Sequence, residues 1–113
     1  MVDSGLLQYL IEPDNTIEEA WGKIAVNHKR TLIVIQEGKV VGSLSDGDMR
    51  KAILAKRLLN TPVREVMNIN FVSLTEDERE KAEKLFVTKD IFLIPVVDEG
   101  MNLIDLIIRH PQT

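Results

Sequence analysis

The sequence predicts an α/β (α+β) fold made of two alike halves, each running helix, strand, strand, helix. Three observations predict it. Apolar residues recur at helical spacing ahead of β-branched runs. Those runs come in pairs separated by turn residues. The whole order then repeats: Ala20 falls on Ala82, Ile24 on Phe86, and Val34-Ile35 on Val96-Val97.

Ile17, Ala20, Trp21, Ile24 and Ala25 fall on one helical stripe, and Thr16 with Glu19 forms a capping box at its start. Trp21 belongs to that stripe and reads as a core or dimer contact. Thr31 to Ile35 is a buried strand, Glu37-Gly38 a turn, and Lys39 to Leu44 the second strand of a hairpin. Asp46 to Leu59 reads as a helix with Met49, Ala52 and Ile53 on one face. In the connecting segment, Pro62 suits the first turn of a short helix over Val63 to Met67. Phe71-Val72-Ser73 reads as a short strand. Thr75 with Glu78 repeats the capping box, Ala82, Leu85 and Phe86 the helix stripe. Ile91 to Val97 is a strand, Asp98 to Asn102 a turn, and Leu103 to Ile108 the next strand. The second turn is one residue longer, so Val41-Gly42 meets Ile104-Asp105. The chain reaches Thr113 with no further helix, so the second half is expected to lack its last helix. The expected organisation is one module, with a first half 1–59, a connecting segment 60–70 and a truncated second half 71–113. Neither half covers its own sheet and helices, so the two are expected to share a core. A pseudo-twofold interface of that kind opens clefts where ligands bind.

Composition narrows the function. The chain has 113 residues, 44% hydrophobic and 28% charged, the balance of a folded domain. A net charge of −4 without a basic run argues against nucleic-acid binding. With no cysteine there is neither a disulfide nor a thiolate metal site, which fits a reducing cytoplasm. Met1 to Tyr9 lacks the regions of a signal peptide, and no apolar run reaches the ~20 residues of a membrane span.

The informative stretch is Gly42-Ser43-Leu44-Ser45-Asp46-Gly47-Asp48, at a strand-to-helix junction. Free N–H groups and the positive end of a helix dipole make such a junction a seat for phosphate. Asp48 adds a carboxylate one turn in, suited to a diol, so a nucleotide fits both. Gly42 and Gly47 allow close approach of a ligand to the backbone. Arg50 is near enough to serve a phosphate. The structural reading stands beside this one: Ser45 and Asp48 have the spacing of a helix cap, and capping and binding are compatible. Asp46 and Asp48 lack the further oxygen ligands of a calcium loop, so no dedicated metal site is expected. His28 and His110 have no partners for nucleophilic catalysis.

With these residues in place, the chain resembles a tandem pair of cystathionine-β-synthase (CBS) domains, a Bateman module, over nearly its full length. The resemblance rests on the repeated element order, on Gly42-x-x-Ser45-x-x-Asp48, on Ile94-Pro95-Val96-Val97-Asp98 and on Pro62-Val63-Arg64-Glu65-Val66-Met67. Ser45-Asp46-Gly47-Asp48-Met49-Arg50 is similar to the form in modules attached to sugar-phosphate nucleotidyltransferases. The resemblance implies a regulatory module binding AMP, ADP, ATP or S-adenosylmethionine between its halves; since Asp46 and Asp48 make no dedicated metal site, magnesium is expected only in company with ATP. It implies that Ser45 contacts phosphate or ribose and Asp48 the ribose hydroxyls. Arg30 and Thr31 would line the same cleft, and Ile94 and Pro95 would lie against the purine or in the equivalent second cleft. It also implies a homodimer, for which Leu54, Leu58 and Leu59 supply apolar helix surface. In the second half Asp105 stands at the place of Gly42, Ile108 at that of Ser45 and Pro111 at that of Asp48, so one ligand site per chain is expected. Two alternatives differ in class. One is a structural dimerisation domain with a decayed site. The other is a phosphotransfer or nucleotide-hydrolysing enzyme, for which no Walker loop exists.

Overall fold

A computed structural model of the chain describes residues 4–110. Helix α1 (Ile17–Asn27) begins at the Thr16 cap. The Glu19 N–H donates to the Thr16 hydroxyl at 3.2 Å, and the Thr16 N–H donates to the Glu19 carboxylate at 2.9 Å. The helix closes on His28, whose φ is 58° and whose N–H reaches the Ile24 carbonyl at 3.1 Å.

Strands β2 (Thr31–Gln36) and β3 (Lys39–Ser45) form the expected hairpin. Glu37 and Gly38 have φ of 53° and 81°, the positive pair that a tight hairpin turn demands. A strand that sequence reading did not name, β1 (Leu10–Ile11), lies parallel to β2 with Leu10 opposite Ile33.

Helix α2 (Asp46–Leu54) is shorter than the expected run to Leu59. Lys56 turns left-handed at φ 65°. Its N–H reaches Ile53, and the Arg57 N–H reaches the Ala52 carbonyl, both at 2.9 Å. That pair is a Schellman closure made without glycine. The chain then runs back along α1. The carbonyls of Leu59 and Thr61 accept the N–H groups of Glu18 and Ile17 at 3.1 and 3.0 Å, which satisfies orphan donors of the first turn of α1. After Pro62 the helical turn is only Val63–Glu65, again shorter than expected. Val63 is fully buried in the core of the first half.

Phe71 to Ser73 is not a strand. The pairing comes one residue later: Leu74 bridges Val96 in parallel, as β1 does to β2. The second helix starts as a 3-10 turn, Glu76–Lys81, before α3 (Ala82–Lys89). Glu78 accepts the Thr75 N–H at 3.0 Å, while the Thr75 hydroxyl donates to Asp77 at 2.6 Å. The Glu78 N–H therefore goes to the Thr75 carbonyl, closing a 3-10 turn.

Strands β4 (Leu93–Val97) and β5 (Leu103–Ile108) pair antiparallel. Pro95 sits inside β4 without loss, because the backbone there faces Leu74, whose N–H needs only the Pro95 carbonyl at 3.0 Å. Both hairpins bulge at equivalent places, between Val34 and Ile35 and between Val96 and Val97. The unpaired residues are Val41 and Ile104, in agreement with the offset read from the longer second turn. The two turns also hold each other: Val40 donates to Met101 and Leu103 donates to Gly38, each at 2.9 Å.

The layers run helices, sheet, sheet, helix. Leu32 and Val34 face α1 and α2, whereas Ile33 faces the other sheet with Leu10, Val40, Leu93, Val97, Leu103 and Leu106. This alternation is the period of a strand buried on both faces. A smaller cluster of Leu74, Ala82, Phe86 and Ile94 lies under α3. No helix follows β5 among the described residues.

Candidate functional site

The end of β3 and the start of α2 place the Ser45–Asp48 loop at the rim of a cleft. Ser45 is the N-cap, in extended backbone. The Ser45 N–H donates to Asp48 Oδ2 at 2.9 Å and the Asp48 N–H donates to Ser45 Oγ at 3.0 Å. The Asp46 N–H donates to the Arg30 carbonyl at 3.0 Å, which ties the helix start to the start of β2. Arg30 itself has φ of 60°.

The cleft has a volume of about 360 Å³ and is walled by both halves. From the first half come Arg30, Thr31, Ile33, Ser43 and Ser45 to Asp48. From the connecting segment come Asn68 and Asn70, and from the second half Phe71, Val72 and Lys89 to Leu93. Two guanidinium groups lie over the Phe92 ring, Arg30 at 5.7 Å and Arg109 at 5.4 Å from its centroid. Arg109 is held by the Phe86 carbonyl at 3.1 Å and by Asp90 at 3.6 Å. The walls therefore offer two cations, Arg30 and Lys89, three carboxylates, Asp46, Asp48 and Asp90, and two aromatic rings, Phe71 and Phe92. That set suits a ligand with a flat apolar part, hydroxyls and an anionic group. It provides no activated nucleophile.

Of the residues singled out in the sequence, Arg30, Thr31, Ser45, Asp46, Gly47 and Asp48 come together in this cleft. Arg50 stays on the solvent side of α2, 67% exposed and 3.8 Å from Asp46. Gly42 is not among the residues that wall the cleft and packs against the connecting segment. A Cβ there would stand 2.8 Å from Met67 Sδ and 3.2 Å from the Asn68 carbonyl. Ile94 and Pro95 are fully buried core residues outside the cleft wall. Strand alternation sends Ile94 under α3, and the second half contributes the residues just before it instead. Phe92 had a legible signal: it stands at the repeat position of Arg30.

In the second half the equivalent junction is different. The Arg109 N–H donates to the Phe92 carbonyl at 2.9 Å, as Asp46 does to Arg30. Ile108 packs into the core between the sheets, and Lys29 Nζ donates to the Arg109 carbonyl at 2.7 Å across that place. Pro111 lies outside the described residues.

Carboxylates held below their ordinary range lie at caps and turns elsewhere. The Thr75 N–H is the largest influence lowering Glu78, to about 2, and the Thr16 N–H the largest lowering Glu19. The Asn102 side chain is the main influence lowering Asp98. Among the described residues no helix is long and apolar enough to cross a membrane, and no group of side chains has the makings of a metal site.

The CBS domain family model matches residues 9–55. The CBS domain-containing protein YhcV of Bacillus subtilis is 30% identical over 99 residues, which cover 86% of this chain and 70% of that protein. Arabinose 5-phosphate isomerase GutQ of Salmonella typhimurium is 36% identical over 74 residues, 64% of this chain but only 23% of the isomerase. Among solved structures, the CBS domain NE2398 superposes with a TM-score of 0.73 at 29% identity, over 88% of this chain and 79% of that one. The CBS domain protein PAE2072 of Pyrobaculum aerophilum, complexed with AMP, superposes with a TM-score of 0.72 over 88% of this chain and 78% of that one. At 17% identity that likeness shows the fold alone.

Proposed function

The chain belongs to the CBS domain family, and from that premise we propose that it is a regulatory module that binds an adenosine-containing ligand between its halves and performs no catalysis itself. One observation carries the reading: the cleft at Ser45–Asp48 is walled by β2, β3 and α2 on one side and by Lys89 to Leu93 on the other. A ligand there touches both halves at once. Regulation then requires that it bind one relative arrangement of the halves better than another. The AMP held by the Pyrobaculum protein, and the 5′-methylthioadenosine and S-adenosylmethionine held by the CBS domain pair of MJ0100, support adenosine as the common element.

In this reading the module spans 1–113, with halves 1–59 and 71–113 joined by 60–70. Asp48 uses one carboxylate oxygen for the cap and offers the other to the ribose hydroxyls. Ser45 and Arg30 attend the phosphate end, and Gly47 leaves the rim open. There is one site per chain, since Ile108 and Lys29 fill the second junction. Magnesium enters only with ATP. The module acts in the cytoplasm, as a homodimer formed through helix surface. GutQ turns the choice of controlled enzyme toward sugar-phosphate isomerases rather than nucleotidyltransferases.

The structural-domain alternative has its own support, because the Ser45–Asp48 cap is complete without a ligand. A thermal-shift series with AMP, ADP, ATP, 5′-methylthioadenosine and S-adenosylmethionine separates the two. A ligand at 100 times its Kd stabilises by ~2.7 kcal/mol. Stabilisation by at least one of them, lost in Asp48→Ala, is expected. Melting unaffected by all five at millimolar concentration leaves the dimerisation domain as the answer.

A further inference from the structure

Ser43 and Leu106 hold the same place in the two hairpins, opposite Ile33 and Pro95. In the first half the outer edge of β3 at Ser43 is occupied. Ser43 exchanges two backbone hydrogen bonds with Asn68 of the connecting segment, at 3.0 and 2.8 Å. Gly42 gives that approach room, since a Cβ there would stand 2.8 Å from Met67 Sδ and 3.2 Å from the Asn68 carbonyl.

At Leu106 no strand lies alongside β5 among the described residues. Its N–H turns instead to the side chain just before it, Asp105 Oδ1, at 2.8 Å. Asp105 stands at the repeat position of Gly42. Its other oxygen is held by Arg79 Nη2 at 2.9 Å, and Arg79 is braced in turn by Glu76. A carboxylate thus fills the place that the connecting segment at Asn68 fills in the first half.

We propose that Asp105, held by Arg79, closes the outer edge of β5 against pairing with the β5 edge of a second copy of this chain. An open strand edge is a template for another strand. The strand Leu103–Ile108 is apolar except for Asp105, contains no proline, and exposes 46% of Ile104. Two such edges related by a twofold axis would be mutual antiparallel partners, each giving and taking the same backbone hydrogen bonds. With Asp105 in place the Leu106 N–H is already taken, and the Asp105–Arg79 pairs of both copies would stand close to that axis. This edge is separate from the helix surface proposed above for dimerisation, and the inference does not depend on any ligand.

The test is sedimentation velocity of the full chain at micromolar concentrations, with amide exchange at Leu106 in dilute solution. Asp105→Gly, which restores the residue of the first half, is expected to at least double the sedimenting mass relative to the parent. Adding Ile104→Lys, a charge on the same edge, is expected to return the mass to the parent value. Asp105→Ala carries the same expectation should the glycine variant fail to fold. In the dilute variant the Leu106 amide is expected to exchange about tenfold faster or more. Folded Asp105→Gly and Asp105→Ala proteins that keep the parent mass at every concentration would overturn the proposal. So would an unchanged Leu106 exchange rate, or association that Ile104→Lys leaves untouched.

Discussion

Ser45 and Asp48 satisfy each other across the first turn of α2, the Ser45 N–H on Asp48 Oδ2 at 2.9 Å and the Asp48 N–H on Ser45 Oγ at 3.0 Å. The carboxylate is therefore aimed before any ligand arrives. Pre-set geometry of this kind lowers the ordering cost of binding.

Calorimetry with AMP is expected to give one ligand per chain. Asp48→Ala removes a charge-assisted contact worth roughly 1.5–3 kcal/mol, or about tenfold in affinity or more. It also removes one side of the helix cap, at a cost of about 1 kcal/mol in stability. Glu78→Ala perturbs the cap at Thr75 and the ion pair with Lys81, both away from the cleft, and should leave AMP binding as it was. Two equal sites, or normal binding by Asp48→Ala, would contradict the assignment.

Gly42→Ala is expected to lower stability by roughly 1–3 kcal/mol through overpacking against Met67 and the Asn68 carbonyl. Because Met67 is flexible, Met67→Ala in the same chain should return part of that loss. Urea midpoints of the two single variants and the double variant measure the coupling.

Ile33 is 1% exposed and lies between the two sheets. Ile33→Ala is expected to cost about 2–5 kcal/mol. Since both halves share that cluster, unfolding should stay a single transition by fluorescence and circular dichroism. Two separated transitions would show that the halves fold apart.

Acid should destabilise the chain through its caps. Glu78 titrates near 2 in the folded state against an ordinary value of 4.5, and Glu19 and Asp98 are also lowered. Between these limits the unfolded chain binds more protons than the folded one. The stabilisation is thus full above about pH 4.5 and is lost as pH falls toward 2. These groups are exposed, so the effect is modest. Urea midpoints from about pH 5 downward should fall less steeply for Glu78→Gln than for the parent.

Leu54, Leu58 and Leu59 are 76%, 71% and 48% exposed at and beyond the end of α2. If they carry the dimer, Leu58→Lys yields a folded monomer by light scattering, with stability of the monomer changed by no more than about 0.5 kcal/mol. A variant that stays dimeric places the interface elsewhere.

Much of the fold was legible because its causes are local. The Thr16–Glu19 box starts α1, Glu37-Gly38 makes the turn, and the repeat offset places the second hairpin. Legibility failed where the local signal was short or ambiguous. Two-residue β1 has no period to read. Leu58 and Leu59 continue the apolar pattern of α2, yet the left-handed turn at Lys56 ends it, because the carbonyls of Leu59 and Thr61 are drawn to α1.

By itself the sequence determined the α/β class, the twofold repeat and the loop at Ser45–Asp48, since periodicity and capping act over a few residues. Only the tertiary structure decided that Phe92 and Lys89 face that loop, that Ile94 and Pro95 are core, and that Gly42 makes room for Met67. Residues so far apart along the chain meet because two sheets close on one core through Ile33, Leu93 and Leu106. That contact is set by shape and burial across the whole molecule, which no window of neighbouring residues contains.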